Sequence, residues 1–170
     1  MIKDPAVCVR QFLKGWVEEN IQPNSYDLRL GRVFRIDGGI KFYANGDKEL
    51  PPYREQRPDR NGWFHLVTGS LYQLEFVEIV DLPLDVAAIS IMRSSMSKSG
   101  ASGEVGLYDS GYSGSCGMTV SVRHSCDIER GASVAQLVFF EASACKSYDG
   151  DYTDMKWIDR LAEKSLDLPT

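Results

Sequence analysis

The feature that most constrains the fold of this chain is a series of short β-rich segments separated by glycine- and proline-containing turns. Apolar and β-branched residues are dense in Tyr26–Ile36, Leu71–Val80, Val86–Met92 and Val134–Phe140. Met118–Val122 has the same character. Short strands in such a series are typical of a β-sandwich, jelly roll or barrel. The chain has 170 residues, enough to bury a core, and we predict one mostly β domain.

Local signals predict a helical segment within residues 1–20. Asp4 is a good N-cap residue, and Pro5 suits the first helical position. Gly15 is the expected end of this helix.

Two other regions have less regular patterns. Ile40–Tyr43 follows an Asp-Gly-Gly turn and is predicted to return beside the strand Tyr26–Ile36 as a hairpin. Residues 44–62 are predicted to be a long surface loop because they are rich in proline, glycine and polar residues. Helical spacing over 153–165 predicts a short terminal helix within a tail spanning 146–170.

Composition excludes several functional classes. The net charge is −5, and the sequence has no basic block, which argues against a nucleic-acid-binding protein. The sequence has no apolar run of membrane-spanning length and no leader-like start. The four cysteines lack the spacing of a disulfide scaffold. We therefore expect a cytoplasmic protein with reduced thiols and no membrane partner.

Several catalytic motifs are absent from the sequence. It contains no P-loop, no Cys-x-x-Cys and no His-x-Glu, so the zinc site of cytidine-type deaminases is missing. Only His65 and His124 are available for a Ser-His-Asp triad, and no nucleophile-elbow sequence accompanies them.

Two segments remain as candidates for chemistry. Arg93–Gly100 combines two cations with four hydroxyls, groups that suit a polyphosphate. The alternative is a serine-rich surface turn. Gly106–Gly114 places Asp109 among glycines and tyrosines, where its carboxylate can orient a water. The alternative is a glycine-rich hairpin in which the aspartate caps a turn.

These segments resemble ordered motifs of the homotrimeric dUTPase and dCTP deaminase superfamily. The similar segments are Arg93–Gly100, Gly106–Gly114 and Gly131–Val138, and their order and spacing match together. Ile21–Gly31 resembles the opening of the dCTP-deaminase-like branch, which includes archaeal and viral dUTPases. The resemblance covers about residues 4–152.

The resemblance implies a distorted jelly-roll protomer with short helices near both ends, and a homotrimer with sites between subunits. It also implies dUTP as substrate, possible use of dCTP, and Mg²⁺ bound through the triphosphate. Asp109 is expected to orient the attacking water, and Arg93 to lie near that carboxylate. Asp27 matches a recurring acidic position and is a candidate to assist the metal.

The same resemblance implies a set of substrate contacts. Phosphate contacts are expected from Ser94, Ser95, Lys98 and Gln136. Tyr112 is expected to pack against the deoxyribose. The backbone over 101–107, including Gly106 and Leu107, is expected to form the hairpin that reads the base.

One position separates the two chemistries of this superfamily. The deaminases carry a glutamate five residues beyond the glycine matching Gly114, and here that residue is Thr119. A threonine cannot move protons between water and a pyrimidine ring, whereas the candidate hydrolytic carboxylate, Asp109, is present. The sequence therefore favours hydrolysis of dUTP to dUMP and pyrophosphate. A zinc-independent dCTP deaminase, alone or bifunctional and using Glu104, and a non-catalytic nucleotide-binding protein remain the alternatives.

Overall fold

The computed structural model describes residues 1–150, Tyr152 and Asp159. The α-helices are α1 (Pro5–Phe12) and α2 (Ser94–Lys98), and Glu18–Asn20 forms a 3-10 turn. The strands are β1 (Leu13–Lys14), β2 (Tyr26–Ile36), β3 (Lys41–Phe42), β4 (Lys48–Glu49), β5 (Tyr53–Gln56), β6 (Trp63–Leu66), β7 (Leu71–Asp81), β8 (Val86–Met92), β9 (Ala101–Gly103), β10 (Gly106–Tyr108), β11 (Ser113–Val122), β12 (Cys126–Glu129) and β13 (Ser133–Glu141). In this part of the chain, no helix has the length and apolar character needed to cross a membrane.

The main sheet is antiparallel and consists of two halves that share β2. Its order is β10-β8-β13-β2-β7-β11-β9, with β1 also pairing with β7 and β5 with β2. The first part of β2 pairs with β13, and the part from Leu30 onward pairs with β7. The predicted mostly β, jelly-roll-like fold is confirmed, and the five predicted strands are all present.

The chain bends where β2 passes from one half of the sheet to the other. The pairing with β7 shifts register between Leu30 and Arg32. A Cβ on Gly31 would lie 3.2 Å from the carbonyl oxygen of Glu75 and 3.3 Å from the backbone nitrogen of Val77. Because these neighbours are backbone atoms, only glycine fits this crossing without a shift.

Glu78 is a fully buried charge that ties β7 to β2. Its carboxylate accepts hydrogen bonds from the Tyr26 hydroxyl at 3.0 Å, from the Arg29 backbone nitrogen at 3.0 Å and from Arg29 Nε at 2.7 Å. A buried carboxylate is tolerated only when it is paired and hydrogen-bonded in this way. Burial raises the pKa of Tyr26 to about 12, so its hydroxyl remains a donor.

The N-terminal helix begins as predicted and ends earlier than predicted. The Asp4 carboxylate accepts from the backbone nitrogen of Ala6 at 2.8 Å and caps the helix. The helix ends at Phe12 because Leu13 is extended and pairs with Val80 of β7. Gly15, with φ of 76°, therefore follows β1 and does not end the helix.

The predicted hairpin after β2 is wrong. Residues 41–42 pair with 48–49, and the strand beside the end of β2 is β5, which lies inside the predicted loop 44–62. The backbone nitrogen of Asp37 donates to the carbonyl oxygen of Pro52, so the chain returns to β2 only after a separate small hairpin. The helix predicted over 153–165 lies outside the described residues, apart from Asp159.

Candidate functional site

At one end of β8, a polar network joins β2, β13 and Arg93. Asp27 and Gln136 are cross-strand partners, and Gln136 Nε2 donates to Asp27 Oδ1 at 3.0 Å and to Ser25 Oγ at 3.2 Å. Arg93 Nη2 lies 3.4 Å from Asp27 Oδ2, and Arg93 Nη1 donates to the Ser133 carbonyl at 3.1 Å. The structure thus brings together residues from three separate sequence segments.

The network fixes the start of α2, which carries the candidate phosphate contacts. Arg93 is the N-cap residue of this five-residue helix, and its backbone nitrogen donates to the carbonyl of Val134 at 3.1 Å. Ser94, Ser95 and Lys98 are exposed on the helix. The helix that carries these side chains is therefore fixed at its N-terminal end, and the side chains themselves are accessible to a ligand.

Asp109 lies at the opposite end of β8, on the turn between β10 and β11. The backbone nitrogen of Tyr112 donates to the Asp109 carbonyl at 3.0 Å. Gly111 has a φ of 80°, a conformation that glycine adopts without strain. Asp109 is exposed, so its carboxylate is accessible to a substrate.

A pocket of about 280 Å³ lies beside this turn, between β7, β10 and β11. Three residues predicted to contact substrate, Gly106, Leu107 and Tyr112, line it. The other lining residues are Tyr53, Gln73, Tyr108, Ser115, Gly117, Thr119, Tyr148 and Tyr152. No carboxylate is among these described lining residues, and a pocket with aromatic walls suits a planar ring.

Two hydroxyl groups organise the floor of this pocket. The Tyr108 hydroxyl donates to the carbonyl of Gly117 and accepts from its backbone nitrogen, both at 3.0 Å. The Thr119 hydroxyl donates to Gln73 Oε1 at 2.9 Å. Thr119, the position of the deaminase glutamate, therefore faces the pocket and bonds to an amide.

The segment after β13 folds back against the pocket. The backbone nitrogen of Tyr148 donates to the Ser110 carbonyl at 3.0 Å, and the Tyr148 and Tyr112 rings have centroids 5.5 Å apart. The Tyr152 ring lies 4.9 Å from Lys48 Nζ. Gln73 and Tyr53 were not predicted as pocket residues, because no motif includes them, and the tail tyrosines Tyr148 and Tyr152 were not assigned to the site.

The two ends of β8 are too far apart for Arg93 and Asp109 to meet within one chain. Tyr108 is the register partner of Ala88, which places Asp109 opposite Ala87, six positions before Arg93. At about 3.3 Å per residue, the separation is roughly 20 Å. Arg93 and the Asp109 carboxylate therefore do not lie near each other within one chain, and their expected proximity in a site between subunits stays a prediction.

Residues 101–107 also differ from the expected hairpin. β9 pairs with β11, whereas β10 pairs with β8, so the segment passes from one edge of the main sheet to the other and does not pair with itself. The backbone nitrogen of Glu104 donates to the Thr119 carbonyl at 2.9 Å. The Glu104 side chain is exposed and is not among the residues that line the pocket.

A buried carboxyl group lies next to Ser115, one of the residues that line the pocket. Glu75 is 8% exposed, and burial raises the pKa of its carboxyl although Arg32 Nη1 lies 3.2 Å away. Arg32 also bonds to Glu55 and Asp159. The Glu75 carboxylate is therefore engaged in an ion pair beside the pocket, although Glu75 is not itself among the described lining residues.

The described residues contain no group of three His, Cys, Asp or Glu side chains placed to bind a metal ion. Asp27, the candidate acid for Mg²⁺, is 5% exposed and is occupied by Arg93 and Gln136. The donor set therefore does not fit direct Mg²⁺ ligation by Asp27. It leaves room for an ion held by ligand phosphates and water, as is usual for Mg²⁺.

The sequence profile of the dCTP deaminase-like family matches residues 3–142. A relative from Methanopyrus kandleri, named probable deoxyuridine 5'-triphosphate nucleotidohydrolase, is 35% identical over 137 residues, covering 79% of this chain and 88% of that protein. A Methanocaldococcus jannaschii protein, named deoxyuridine 5'-triphosphate nucleotidohydrolase, is 29% identical and is covered over 93% of its length.

A similar fold is found in the crystal structure of 2'-deoxycytidine 5'-triphosphate deaminase from Agrobacterium tumefaciens, with a TM-score of 0.61 and 21% identity. The match covers 81% of this chain and 45% of that one. Fold, motif order and profile agree: the chain belongs to the dCTP deaminase-like family.

Proposed function

We propose that this protein hydrolyses dUTP to dUMP and pyrophosphate. The observation that carries the proposal is the pocket floor, where Thr119 bonds to Gln73 and no carboxylate is among the described lining residues. Deamination of dCTP requires a group that moves protons at the ring, and the described residues that line this pocket include no carboxylate to do so. The names of the Methanopyrus and Methanocaldococcus relatives support the same activity.

In this proposal, Asp109 holds the attacking water. Its exposed carboxylate accepts a hydrogen bond from the water and directs it at the α-phosphorus. The new bond forms between the water oxygen and that phosphorus, the water gives up a proton to the Asp109 carboxylate and from there to solvent, and the bond to the bridging oxygen breaks so that pyrophosphate leaves. Positioning and charge neutralisation account for most of the catalysis of such a transfer.

The proposed site is shared between copies of the chain. Asp109 and the Arg93 end of β8 are roughly 20 Å apart, which exceeds the reach of one side chain. A triphosphate beside Asp109 would therefore take Ser94, Ser95 and Lys98 from a neighbouring copy. We propose the homotrimer that the family resemblance implies, with sites between subunits, acting in the cytoplasm.

The pocket is the proposed site of the nucleoside. Gly106 and Leu107 would present backbone groups to the base, and the buried ring of Tyr112 would pack against the deoxyribose. The Tyr112 hydroxyl donates to the Ser115 carbonyl at 2.7 Å, which holds the ring in place. Gln136 would contact a phosphate oxygen only after releasing Asp27 or Ser25, because both its amide hydrogens are used within the chain.

Mg²⁺ would be held by the triphosphate and water, with Asp27 acting indirectly by orienting Arg93 and Gln136. When bound, the ion supplies charge neutralisation on the phosphates. The protein's own residues then hold the base, the sugar and the attacking water.

The proposal is tested by Asp109→Asn. Asparagine keeps the size of the side chain and loses the charge that orients the water, so pyrophosphate release from dUTP should fall by about 100-fold or more. Release is measured in the purified protein with Mg²⁺, with dCTP assayed in parallel for loss of its amino group.

The matched control is Asp85→Asn, an exposed carboxylate at the same end of β8, which should retain full activity. Unchanged turnover in Asp109→Asn would contradict the assigned role of Asp109. Absence of pyrophosphate release by the unaltered protein, or conversion of dCTP to dUTP, would contradict the proposed function itself.

A further inference from the structure

We propose that Gln73 is a specificity-determining residue that selects uracil over cytosine through the N3 and C4 edge of the ring. The inference rests on the proposed function for the class of ligand, a deoxypyrimidine nucleotide. Gln73 belongs to none of the motifs that identify the family. Its placement in the pocket comes entirely from the pairing of β7 with β11.

The position of the Gln73 amide is well defined. The side chain is 7% exposed and lines the pocket. Its Oε1 accepts from the Thr119 hydroxyl at 2.9 Å, and its Nε2 donates to the Leu74 carbonyl at 3.2 Å. Because Oε1 accepts from a hydroxyl and Nε2 donates to a carbonyl, the positions of the amide oxygen and nitrogen cannot be exchanged.

Gly117 makes room for this amide at the pocket floor. A Cβ at position 117 would lie 2.5 Å from Gln73 Nε2 and 2.7 Å from the Leu74 carbonyl oxygen. The amide nitrogen therefore occupies the space that a side chain would fill. Since Gly117 itself lines the pocket, Nε2 lies at the surface that a bound ring meets.

The bonding pattern leaves one donor and one acceptor for a ligand. An amide nitrogen carries two hydrogens, and in the described residues Nε2 has the Leu74 carbonyl as its acceptor, which leaves the second hydrogen. The Thr119 hydroxyl gives its only hydrogen to Gln73, so its oxygen can only accept. Uracil complements this pair, because its C4 carbonyl accepts and its N3–H donates.

Cytosine has the opposite pattern on the same edge. Its C4 amino group would meet the amide hydrogen, and its unprotonated N3 would meet the Thr119 oxygen. Both pairs would be mismatched in a largely buried site, and a buried polar group without a partner is costly. The nearby hydroxyls of Tyr108 and Tyr112 already bond to backbone groups.

The test compares binding of dUMP and dCMP, which does not depend on turnover. The unaltered protein should prefer dUMP. Gln73→Met removes the donor at similar length and should reduce the preference by about tenfold. Gln73→Glu keeps an acceptor for Thr119 and replaces the donor with a second acceptor, so it should lower the preference further.

Gln56→Met is the matched control, since Gln56 donates to the Arg54 carbonyl outside the pocket, and it should leave the preference unchanged. Folding of each variant is checked by thermal unfolding. An unchanged dUMP preference in the folded Gln73→Glu variant would overturn the inference, as would equal binding of both nucleotides by the unaltered protein. A preference that depends on Gln73 in a protein that does not release pyrophosphate would support the inference while refuting the proposed function.

Discussion

The two ends of β8 are built in different ways. At the end that leads into α2, the charged groups satisfy one another: Asp27 is bound by Arg93 and Gln136 and is almost fully buried. At the other end, the pocket has aromatic walls, Gln73 is the one side-chain amide among its described lining residues, and the exposed Asp109 follows the lining residue Tyr108. The first arrangement suits a fixed support for phosphate contacts, and the second suits a planar neutral ring.

This difference indicates that the two ends of β8 have different roles in ligand binding. The α2 end supplies cations and hydroxyls whose positions are set by backbone and ion-pair contacts to β2 and β13. The pocket end supplies shape and hydrogen-bond pattern. Because a rigid strand of roughly 20 Å separates them, each end would complete a site on a different copy of the chain.

The largest expected effect comes from placing one substitution at each end of β8 on two different chains. Asp109→Asn and Lys98→Ala should each reduce dUTP hydrolysis strongly when expressed alone. When the two chains are co-expressed, sites that combine Asp109 of one chain with Lys98 of another should restore roughly a quarter of the normal rate. Pyrophosphate release from the purified mixture measures this.

A chain that carries both substitutions provides the control. Co-expressed with Asp109→Asn, it offers no intact Asp109 in any combination, so activity should stay low. Absence of recovery in the first mixture would show that both ends serve the same chain and would remove the basis for the shared site.

A smaller effect is expected on stability at the α2 end. Asp27→Ala leaves Gln136 short of an acceptor and Arg93 without its carboxylate, and the free energy of unfolding should fall by about 2 kcal/mol. Asp85→Ala removes an exposed carboxylate that lies 3.7 Å from Lys3 and should cost less than about 0.5 kcal/mol. Urea unfolding of both variants gives the comparison, and equal losses would contradict a special role for the buried network.

The smallest effect concerns pH at the pocket end. Burial raises the pKa of Glu75 above its ordinary value of 4.5, so the folded protein holds this proton at a pH where the unfolded chain has lost it. Stability should therefore fall as the pH rises from the ordinary value through the raised pKa. Glu75→Gln should abolish this dependence, so the melting temperature of the variant should rise relative to that of the unaltered protein as the pH increases above the ordinary carboxyl pKa of 4.5.

Glu55→Gln is the control for the loss of a carboxylate partner of Arg32, because Glu55 is a more exposed partner of the same guanidinium. If both variants show the same pH profile, burial of Glu75 is not the cause.

Much of the fold follows from local sequence patterns. The strands β2 and β8 have the predicted limits, and Asp4 caps the first helix as its position suggests. The errors occur where pairing is non-local. Ile40–Tyr43 has strand-like residues, but which strand neighbours β2 depends on closure by Asp37 and Pro52, which local propensity does not encode.

The candidate site was accessible to sequence reasoning only as far as its motifs extend. Asp109, Arg93, Gln136 and the Ser94–Lys98 segment stand out by residue type and order, and Thr119 stands out by replacing a glutamate. Gln73 and Tyr53 carry no such signal, since glutamine and tyrosine are ordinary residues in a strand.

The sequence by itself determined the family, the mostly β class and the choice between two chemistries, because these depend on residue identity and order. Only the tertiary structure decided which groups meet. It placed Asp27 against Arg93 and Gln136, Gln73 against Thr119, and Asp109 far from Arg93. The reason is physical: contacts between distant segments are set by sheet register and by the bend at Gly31, and a single-residue change of register would turn each side chain to the opposite face.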